Sequence, residues 1–126
     1  MARYLLDTDV IIEWLRRNAR VVAWLEATDA AGDFLACTPI SVTELYAGMR
    51  SREEFFIGEI LRLLHCVDIT ARIGHKAGRY RQAFGRSHGV EVADALIAAA
   101  AHVHGLTLCT LNLRHYPMSD LKKHRI

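Results

Sequence analysis

The chain has 126 residues, a formal net charge of +2 and a hydrophobic fraction of 52%. This length and composition predict one globular domain, residues 1–126, and exclude a disordered chain. No apolar stretch approaches the roughly 20 residues of a membrane helix, and the N-terminal segment reaches Asp7 too early to form the apolar core of a signal peptide. We therefore expect a cytoplasmic protein that does not associate with membranes.

The cysteines Cys37, Cys66 and Cys109 lie in apolar runs, without CxxC pairing or zinc-type spacing. Free cysteine behaves as a small hydrophobic residue, and disulfides are rare in reducing compartments. We therefore expect all three to be buried, reduced thiols.

Short apolar runs alternate with helical patterns along the chain. In chain order, the pattern predicts a strand over 4–6, helices over 10–17 and 19–31, a strand over 34–38 ended by Pro39, and a helix over 41–49 capped by Ser41. It then predicts a helix over 53–64, a strand over 66–69, a helix over 70–86 capped by Thr70, a helix over 92–104 followed by Gly105, a strand over 106–110, and a short final strand after Pro117. Such alternation predicts an α/β fold, with a mostly parallel sheet of about five strands flanked by helices on both faces.

Polar residues follow the predicted strands at the points where these end. Asp7 comes directly after the first strand, and Asn112 lies two residues beyond the strand over 106–110. Glu44 and Asp94 lie in the first turns of their predicted helices. Because the carboxyl ends of parallel strands open into one crevice, we expect these four side chains to lie on the same rim of the sheet.

Each of these residues also has a structural explanation. Asp7 could cap the helix that follows it, Ser41 and Glu44 fit a capping box, Asp94 could complement a helix dipole, and Asn112 could be a turn residue. Together, however, converging carboxylates repel one another unless a cation lies between them. Oxygen ligands without a nearby His or Cys favour Mg²⁺ or Mn²⁺. The pattern therefore predicts a metal site that hydrolyses phosphodiester bonds with a metal-activated water.

Three segments of the chain resemble a known family: LLDTDVIIEWL, ISVTELYAGM and VADALIAAAAHVHGLTLCTLN. In order and spacing they are similar to the PIN-domain ribonucleases, specifically the VapC-type toxins of type II toxin–antitoxin systems, and the similarity covers nearly the whole chain. The resemblance implies a parallel sheet with flanking helices and Mg²⁺- or Mn²⁺-dependent endoribonuclease activity. It also implies homodimers, higher toxin–antitoxin assemblies and neutralisation by a partner antitoxin.

By position, the resemblance places the family's three core acids on Asp7, Glu44 and Asp94, as catalytic residues and metal ligands. The fourth acid falls on Asn112, which supplies an oxygen but no charge and leaves open whether one or two metals bind. Asp9 could add charge at the rim, although exposure on the first helical turn is the simpler interpretation.

RNA binding requires cations around such an acidic rim, which would otherwise repel phosphate. The sequence contains 13 arginines and three lysines, and the planar guanidinium of arginine suits phosphate recognition. We expect some arginines near the acids, including Arg50 and Arg79, to contact substrate together with His115. A solvated helix face would explain these arginines equally well.

Two other functions remain open at this point. The segment Asp7-Thr8-Asp9-Val10 also resembles the start of haloacid-dehalogenase-type phosphatases, with Asp7 as nucleophile and Asp9 as general acid, but no lysine follows a suitable strand and the chain is short for that fold. A non-catalytic PIN-like binding module is conceivable because of Asn112, although the three retained acids argue against it.

The apolar segments 10–14 and 21–25 contain Trp14 and Trp24 and exceed what a small core requires. They predict a groove for an antitoxin helix or a dimer surface. Core packing within the chain is the alternative explanation.

Overall fold

The computed structural model describes residues 1–126, which form five strands and six α-helices. The strands are β1 Arg3–Leu6, β2 Phe34–Cys37, β3 His65–Cys66, β4 Thr107–Thr110 and β5 Lys123–Arg125. The helices are α1 Thr8–Leu15, α2 Ala19–Ala30, α3 Pro39–Gly48, α4 Glu54–Leu63, α5 Ala71–Phe84 and α6 Val92–His104. Short 3₁₀ turns cover Ser51–Glu53 and Leu113–His115.

All neighbouring strands are parallel, in the order β3-β2-β1-β4-β5. Leu5 of β1 pairs with Ala36 of β2 on one side and with Leu108 of β4 on the other. Strands β2 and β3 therefore lie on one side of β1, and β4 and β5 lie on the other side. The direction in which strands are added reverses between β1 and β4. Ligand sites of open parallel sheets lie beyond the carboxyl ends of the strands at such a reversal.

Helices cover both faces of the sheet, as the sequence predicts. The pair α5 and α6 covers the face that includes Leu5 and Leu108, and the four helices α1 to α4 cover the face that includes Leu6 and Cys109. Successive strand residues point to opposite faces, so Leu5 and Leu6 enter different cores. Burial on both faces explains why the central strands β1, β2 and β4 are largely apolar, whereas the edge strands β3 and β5 are not.

The predicted helix ends are partly confirmed. Thr70 caps α5 by accepting a hydrogen bond from the Ile73 amide at 3.3 Å, and Gly105 ends α6 with a φ of 67°. The prediction that Ser41 caps the third helix is wrong: Thr38 is the cap, and Pro39 occupies the first turn. Proline suits this position because its amide needs no partner there and its φ is already helical. Ser41 lies inside the helix instead and is buried.

The third strand and its cysteine also differ from expectation. Strand β3 is confined to His65–Cys66 rather than extending over 66–69, and the chain then turns toward the cap of α5. Because β3 is an edge strand, Cys66 is exposed, whereas Cys37 and Cys109 are buried as predicted. All three thiols are free. None of the helices is long and apolar enough to span a membrane.

Candidate active site

Asp7 lies between the two strands at which the sheet order reverses. It directly follows β1 and is only 5% exposed. Its Oδ1 accepts a hydrogen bond from the Thr8 amide at 2.8 Å, and its Oδ2 accepts one from the Thr110 hydroxyl at 2.9 Å. Burial raises the pKa of Asp7, and the hydroxyls of Tyr116 and Thr110 partly oppose this effect. Asp7 therefore caps α1 and is also tied to the end of β4.

Asp9 lies on the first turn of α1, yet its side chain faces the end of β4. Its Oδ2 accepts hydrogen bonds from the Leu111 amide at 3.2 Å and the Thr110 hydroxyl at 3.4 Å, while its Oδ1 is buried without a partner. Burial and the adjacent charge of Asp7 raise the pKa of Asp9 from 3.8 to about 6. The simpler expectation of an exposed Asp9 is wrong because the end of β4 packs against the start of α1.

Glu44 reaches the same place from α3. Its Oε1 accepts a hydrogen bond from the Thr8 hydroxyl at 2.8 Å, and this hydroxyl is also 2.8 Å from the Ser41 hydroxyl. The predicted capping box is absent because Thr38 caps α3 and the Glu44 side chain turns toward α1. Two buried hydroxyls, those of Thr8 and Ser41, therefore connect the helix that carries Glu44 to the helix that begins after Asp7.

Asp94 lies in the first turn of α6, as predicted. Its Oδ1 is 3.5 Å from the Tyr116 hydroxyl, a long hydrogen bond, and its Oδ2 is 3.8 Å from His115 Nδ1. Burial and the charge of Asp7 raise the pKa of Asp94, and His115 acts in the opposite direction. Tyr116 itself is fully buried, and burial together with the charges of Asp7 and Asp94 raises its pKa. A neutral hydroxyl donor thus lies beside two acids.

Asn112 and His115 form one unit at the end of β4. Asn112 Oδ1 accepts a hydrogen bond from the Arg114 amide at 3.2 Å, as its explanation as a turn residue predicts. Its Nδ2 is 3.1 Å from His115 Nε2. Asn112 therefore orients His115, whose other ring nitrogen faces Asp94. The remaining predicted substrate residues, Arg50 and Arg79, are exposed and form no ion pair.

The structure brings the predicted acids into one electrostatic cluster. The charge of Glu44 raises the pKa of Asp7, and the charge of Asp7 raises the pKa values of Asp9 and Asp94. No lysine or arginine forms an ion pair with any of these four acids, which we call the acid cluster. The only basic side chain within ion-pair distance of the acid cluster is His115, whose Nδ1 is 3.8 Å from Asp94 Oδ2.

The donor set of the acid cluster fits a hard divalent cation, because every donor is an oxygen. The unpartnered Oδ1 of Asp9 is a buried acceptor that a cation could satisfy. No group of three or more His, Cys, Asp or Glu side chains is already arranged to hold a single metal ion. Binding one ion between several of these acids therefore requires their side chains to rotate toward each other.

Sequence reasoning missed the hydroxyl partners of the acids, which are Thr8, Thr110 and Tyr116, and the Ser41 hydroxyl that contacts Thr8. Only Thr110 had a local signal, since it ends a strand two residues before Asn112 in the T-x-N segment. The sequence around Tyr116 does not indicate whether this tyrosine contacts acids or only packs in the core. Its role depends on contacts with residues 22 or more positions away.

The PIN domain family model matches residues 4–120 of the chain. Ribonuclease VapC10 of Mycobacterium tuberculosis is 36% identical over 120 residues, covering 94% of this chain and 90% of that protein. Toxin FitB of Neisseria gonorrhoeae is 33% identical over 131 residues, covering 93% of each. Among solved structures, FitAcB from Neisseria gonorrhoeae has a TM-score of 0.74 at 30% identity and covers 95% of both chains. VapBC2 from Rickettsia felis, bound to a promoter DNA fragment, has a TM-score of 0.82 at 23% identity and covers 98% of both. The chain therefore belongs to the PIN-domain family.

Proposed function

We propose that this PIN-domain protein is a divalent-metal-dependent endoribonuclease toxin that hydrolyses RNA phosphodiester bonds in the cytoplasm and is neutralised by a cognate antitoxin. The observation that carries the proposal is the acid cluster at the reversal of strand order, whose negative charge has no basic ion-pair partner except His115. The relatives named as ribonucleases support the choice of RNA as substrate.

In this proposal Asp7, Glu44 and Asp94 hold Mg²⁺ or Mn²⁺, and Asp9 Oδ1 offers a further oxygen. The bound ion supplies counter-charge and a polarised water for attack at phosphorus. The hydroxyls of Thr8 and Thr110 hold the acids in position through the hydrogen bonds described above. His115, oriented by Asn112, stands beside Asp94 where its imidazole can contact a phosphate oxygen.

The test is cleavage of single-stranded and structured RNA by purified protein with added Mg²⁺ or Mn²⁺. Asp7→Asn keeps the side-chain shape and removes the charge, while Asp120→Asn removes an acid that is bound instead to Lys76 and Tyr80. We expect EDTA and Asp7→Asn each to abolish cleavage, and Asp120→Asn to retain it. Cleavage that persists in EDTA or in Asp7→Asn would contradict metal-dependent hydrolysis.

The two alternative functions have less support. A haloacid-dehalogenase-type phosphatase does not fit membership of the PIN-domain family. Two of the lysines are also engaged elsewhere, since Lys76 pairs with Asp120 and Lys123 donates to the Tyr116 carbonyl. A non-catalytic binding module would bind RNA or antitoxin yet leave RNA intact under all metal conditions, so the same assay separates it from the nuclease.

The antitoxin part of the proposal rests on an apolar surface between α1, α2 and α4. Two adjoining grooves share Trp14, Val22 and Glu26, and Phe56 is 54% exposed at one of them. Three carboxylates, those of Glu26, Asp29 and Glu59, line these grooves against one cation, that of Arg17. We propose that an antitoxin helix with an apolar face and flanking basic residues binds here.

Only one of the two tryptophans belongs to this surface. Trp14 lines both grooves, whereas Trp24 stacks on His124 at a centroid distance of 5.4 Å and packs edge-on against Tyr4 at 5.0 Å. Core packing therefore accounts for Trp24, and of the two tryptophans only Trp14 remains part of the proposed partner surface.

Neighbouring phenylalanines provide a matched test. Phe56 lines a groove, whereas Phe55 is 69% exposed and lines neither. When the chain is co-expressed with the product of the neighbouring open reading frame, we expect Phe56→Glu to disrupt co-purification of the two proteins and Phe55→Glu to preserve it. Equal loss in both variants, or in neither, would argue against this groove as the antitoxin site.

Self-association is a separate part of the proposal. The family resemblance implies homodimers and larger toxin–antitoxin assemblies. Light scattering coupled to size exclusion, with and without the antitoxin, measures both stoichiometries directly. A mass of one chain at all concentrations would contradict the homodimer.

A further inference from the structure

Helix α5 and the turn after it carry a regular row of arginines. Arg72, Arg79 and Arg86 are seven residues apart, with His75 and Gln82 between them, and all five side chains belong to exposed residues. Seven residues are close to two helical turns, so these positions share one face. The helical hydrogen-bond pattern continues past Phe84, since the His88 amide bonds to its carbonyl. We call these five residues the α5 stripe.

The positive charge of the α5 stripe is not neutralised within the chain. No acidic residue occurs between Asp68 and Glu91, and none of the three stripe arginines takes part in an ion pair. The other cations of this segment are engaged: Lys76 bonds to Asp120 at 2.6 Å, and Arg81 Nε donates to the Val90 carbonyl at 3.0 Å. The stripe is therefore the part of α5 with guanidinium groups free to bind an anion.

One end of the α5 stripe lies toward the acid cluster. The first half of α5 meets the far end of α6, because Lys76 and His102 both contact Asp120. The two helices therefore run antiparallel, and the turn after α5 leads directly into the first turn of α6, which carries Asp94. Arg86 is consequently the stripe arginine nearest the acids, and Arg72 is roughly 21 Å further along the helix axis.

A shallow groove runs beside the arginines and is lined by Gly74, His75, Gly78, Arg79 and Gln82. A Cβ added at Gly74 or Gly78 would meet no atom within 4 Å, so packing within the chain does not require glycine. Glycine in a helix interior costs about 1 kcal/mol relative to alanine. Both positions leave the helix backbone open to close approach by another molecule.

We propose that the α5 stripe binds the backbone of the RNA segment that flanks the scissile phosphate. This inference rests on the proposed ribonuclease function and adds a path for the substrate. RNA fits better than a protein partner because the stripe presents guanidinium, imidazole and amide groups and no apolar side chain. Arginine donates two parallel hydrogen bonds to a phosphate, and three arginines spread over roughly 21 Å of helix axis offer a flexible single strand successive phosphate contacts.

The test compares two triple variants with the same change in charge. One is Arg72→Gln, Arg79→Gln, Arg86→Gln; the control is Arg3→Gln, Arg20→Gln, Arg62→Gln, on exposed residues of other elements. Binding of a fluorescent 20-nucleotide single-stranded RNA is measured in EDTA over a series of salt concentrations. Each lost phosphate contact reduces the slope of log affinity against log salt by about 0.7. We expect a decrease of about 2 for the stripe variant and less than half of that for the control.

Cleavage provides an independent readout that separates this inference from the proposed function. The stripe variant should cleave the long RNA at least tenfold less efficiently at limiting concentration, and a tetranucleotide at the wild-type rate. If it cleaves and binds the long RNA as the control does, the stripe proposal is wrong and the ribonuclease stands. If the wild-type protein cleaves neither RNA, the proposed function fails, while the salt slopes still decide whether the stripe binds RNA. A change in oligomeric mass in place of a change in slope would overturn the proposal in favour of a protein interface.

Discussion

Replacing Asp9 with asparagine tests whether the buried carboxylate charge of the acid cluster destabilises the fold when no cation is bound. The pKa of Asp9 is raised from 3.8 to about 6 by burial and by Asp7. The folded chain therefore holds this proton in a pH range where the unfolded chain has released it. The stability that Asp9 contributes is complete below its unfolded pKa and is lost as the pH rises through about 6.

The magnitude follows from the size of this shift. One pKa unit corresponds to about 1.4 kcal/mol, so a shift of about two units sets an upper bound of about 3 kcal/mol. Solvent screening of a part-buried side chain reduces this to about 1–2 kcal/mol. Asp9→Asn preserves the acceptor for the Leu111 amide and removes the charge. In EDTA at pH 7.5 the variant should be more stable than wild type by that amount, and the gain should vanish near pH 4.

Urea unfolding followed by fluorescence of Trp14 and Trp24 measures this difference at a series of pH values. Added Mn²⁺ should stabilise wild type by mass action and stabilise Asp9→Asn less, since one oxygen ligand is replaced by an amide. The reasoning would be refuted by a variant that is destabilised by the same amount at every pH. It would also be refuted by a variant that Mn²⁺ stabilises as much as wild type, because the Asp9 charge would then neither destabilise the fold nor bind the cation.

Three further changes address other parts of the chain. Tyr116→Phe removes the hydroxyl that donates to Asp94. The loss of about 1 kcal/mol of hydrogen-bond energy should lower the affinity for Mn²⁺ about fivefold. An unchanged affinity in calorimetry would count against a role of Tyr116 in positioning Asp94. Asp120→Asn should destabilise the protein by about 0.5 kcal/mol at neutral pH, because hydrogen bonding by Lys76 lowers the pKa of Asp120. That stability is present above pH 3.8 and lost as the pH falls further, so equal effects at pH 7 and pH 2.5 would contradict it. Gly58→Ala should raise the free energy of unfolding by about 0.5–1 kcal/mol, since α4 leaves open space for the added methyl group; any loss of stability in urea unfolding would show that the helix does not tolerate it.

The residues that sequence analysis located share a local signature. Asp7 ends an apolar run directly after β1, and Asp94 stands in the first turn of α6, which leads into β4. Glu44 is predicted in the first turn of its helix but lies in the second turn of α3, because this helix begins at Pro39 directly after β2. In parallel α/β sheets those positions share one edge by construction. The clustering of these acids could therefore be predicted from the order of the elements alone.

Asp9 illustrates what a local pattern does not contain. Its place on the first turn of α1 suggests solvent exposure, yet its carboxylate bonds to the Leu111 amide, 102 residues away. Ser41 is similar, because the capping pattern around it is overridden by Thr38 and Pro39 and its hydroxyl bonds to Thr8 instead. In both cases a distant element offered a better partner than the immediate neighbours.

By itself the sequence determined the kinds of elements, their order and the family, because apolar runs and helical periodicity are local and both faces of the sheet had to be buried. The tertiary structure decided that β4 lies beside β1, and with it which hydroxyl meets which carboxylate. Hydrogen bonds and charge repulsion depend on distance in space, and Thr110 and Asp7 are 103 residues apart along the chain but 2.9 Å apart in the fold.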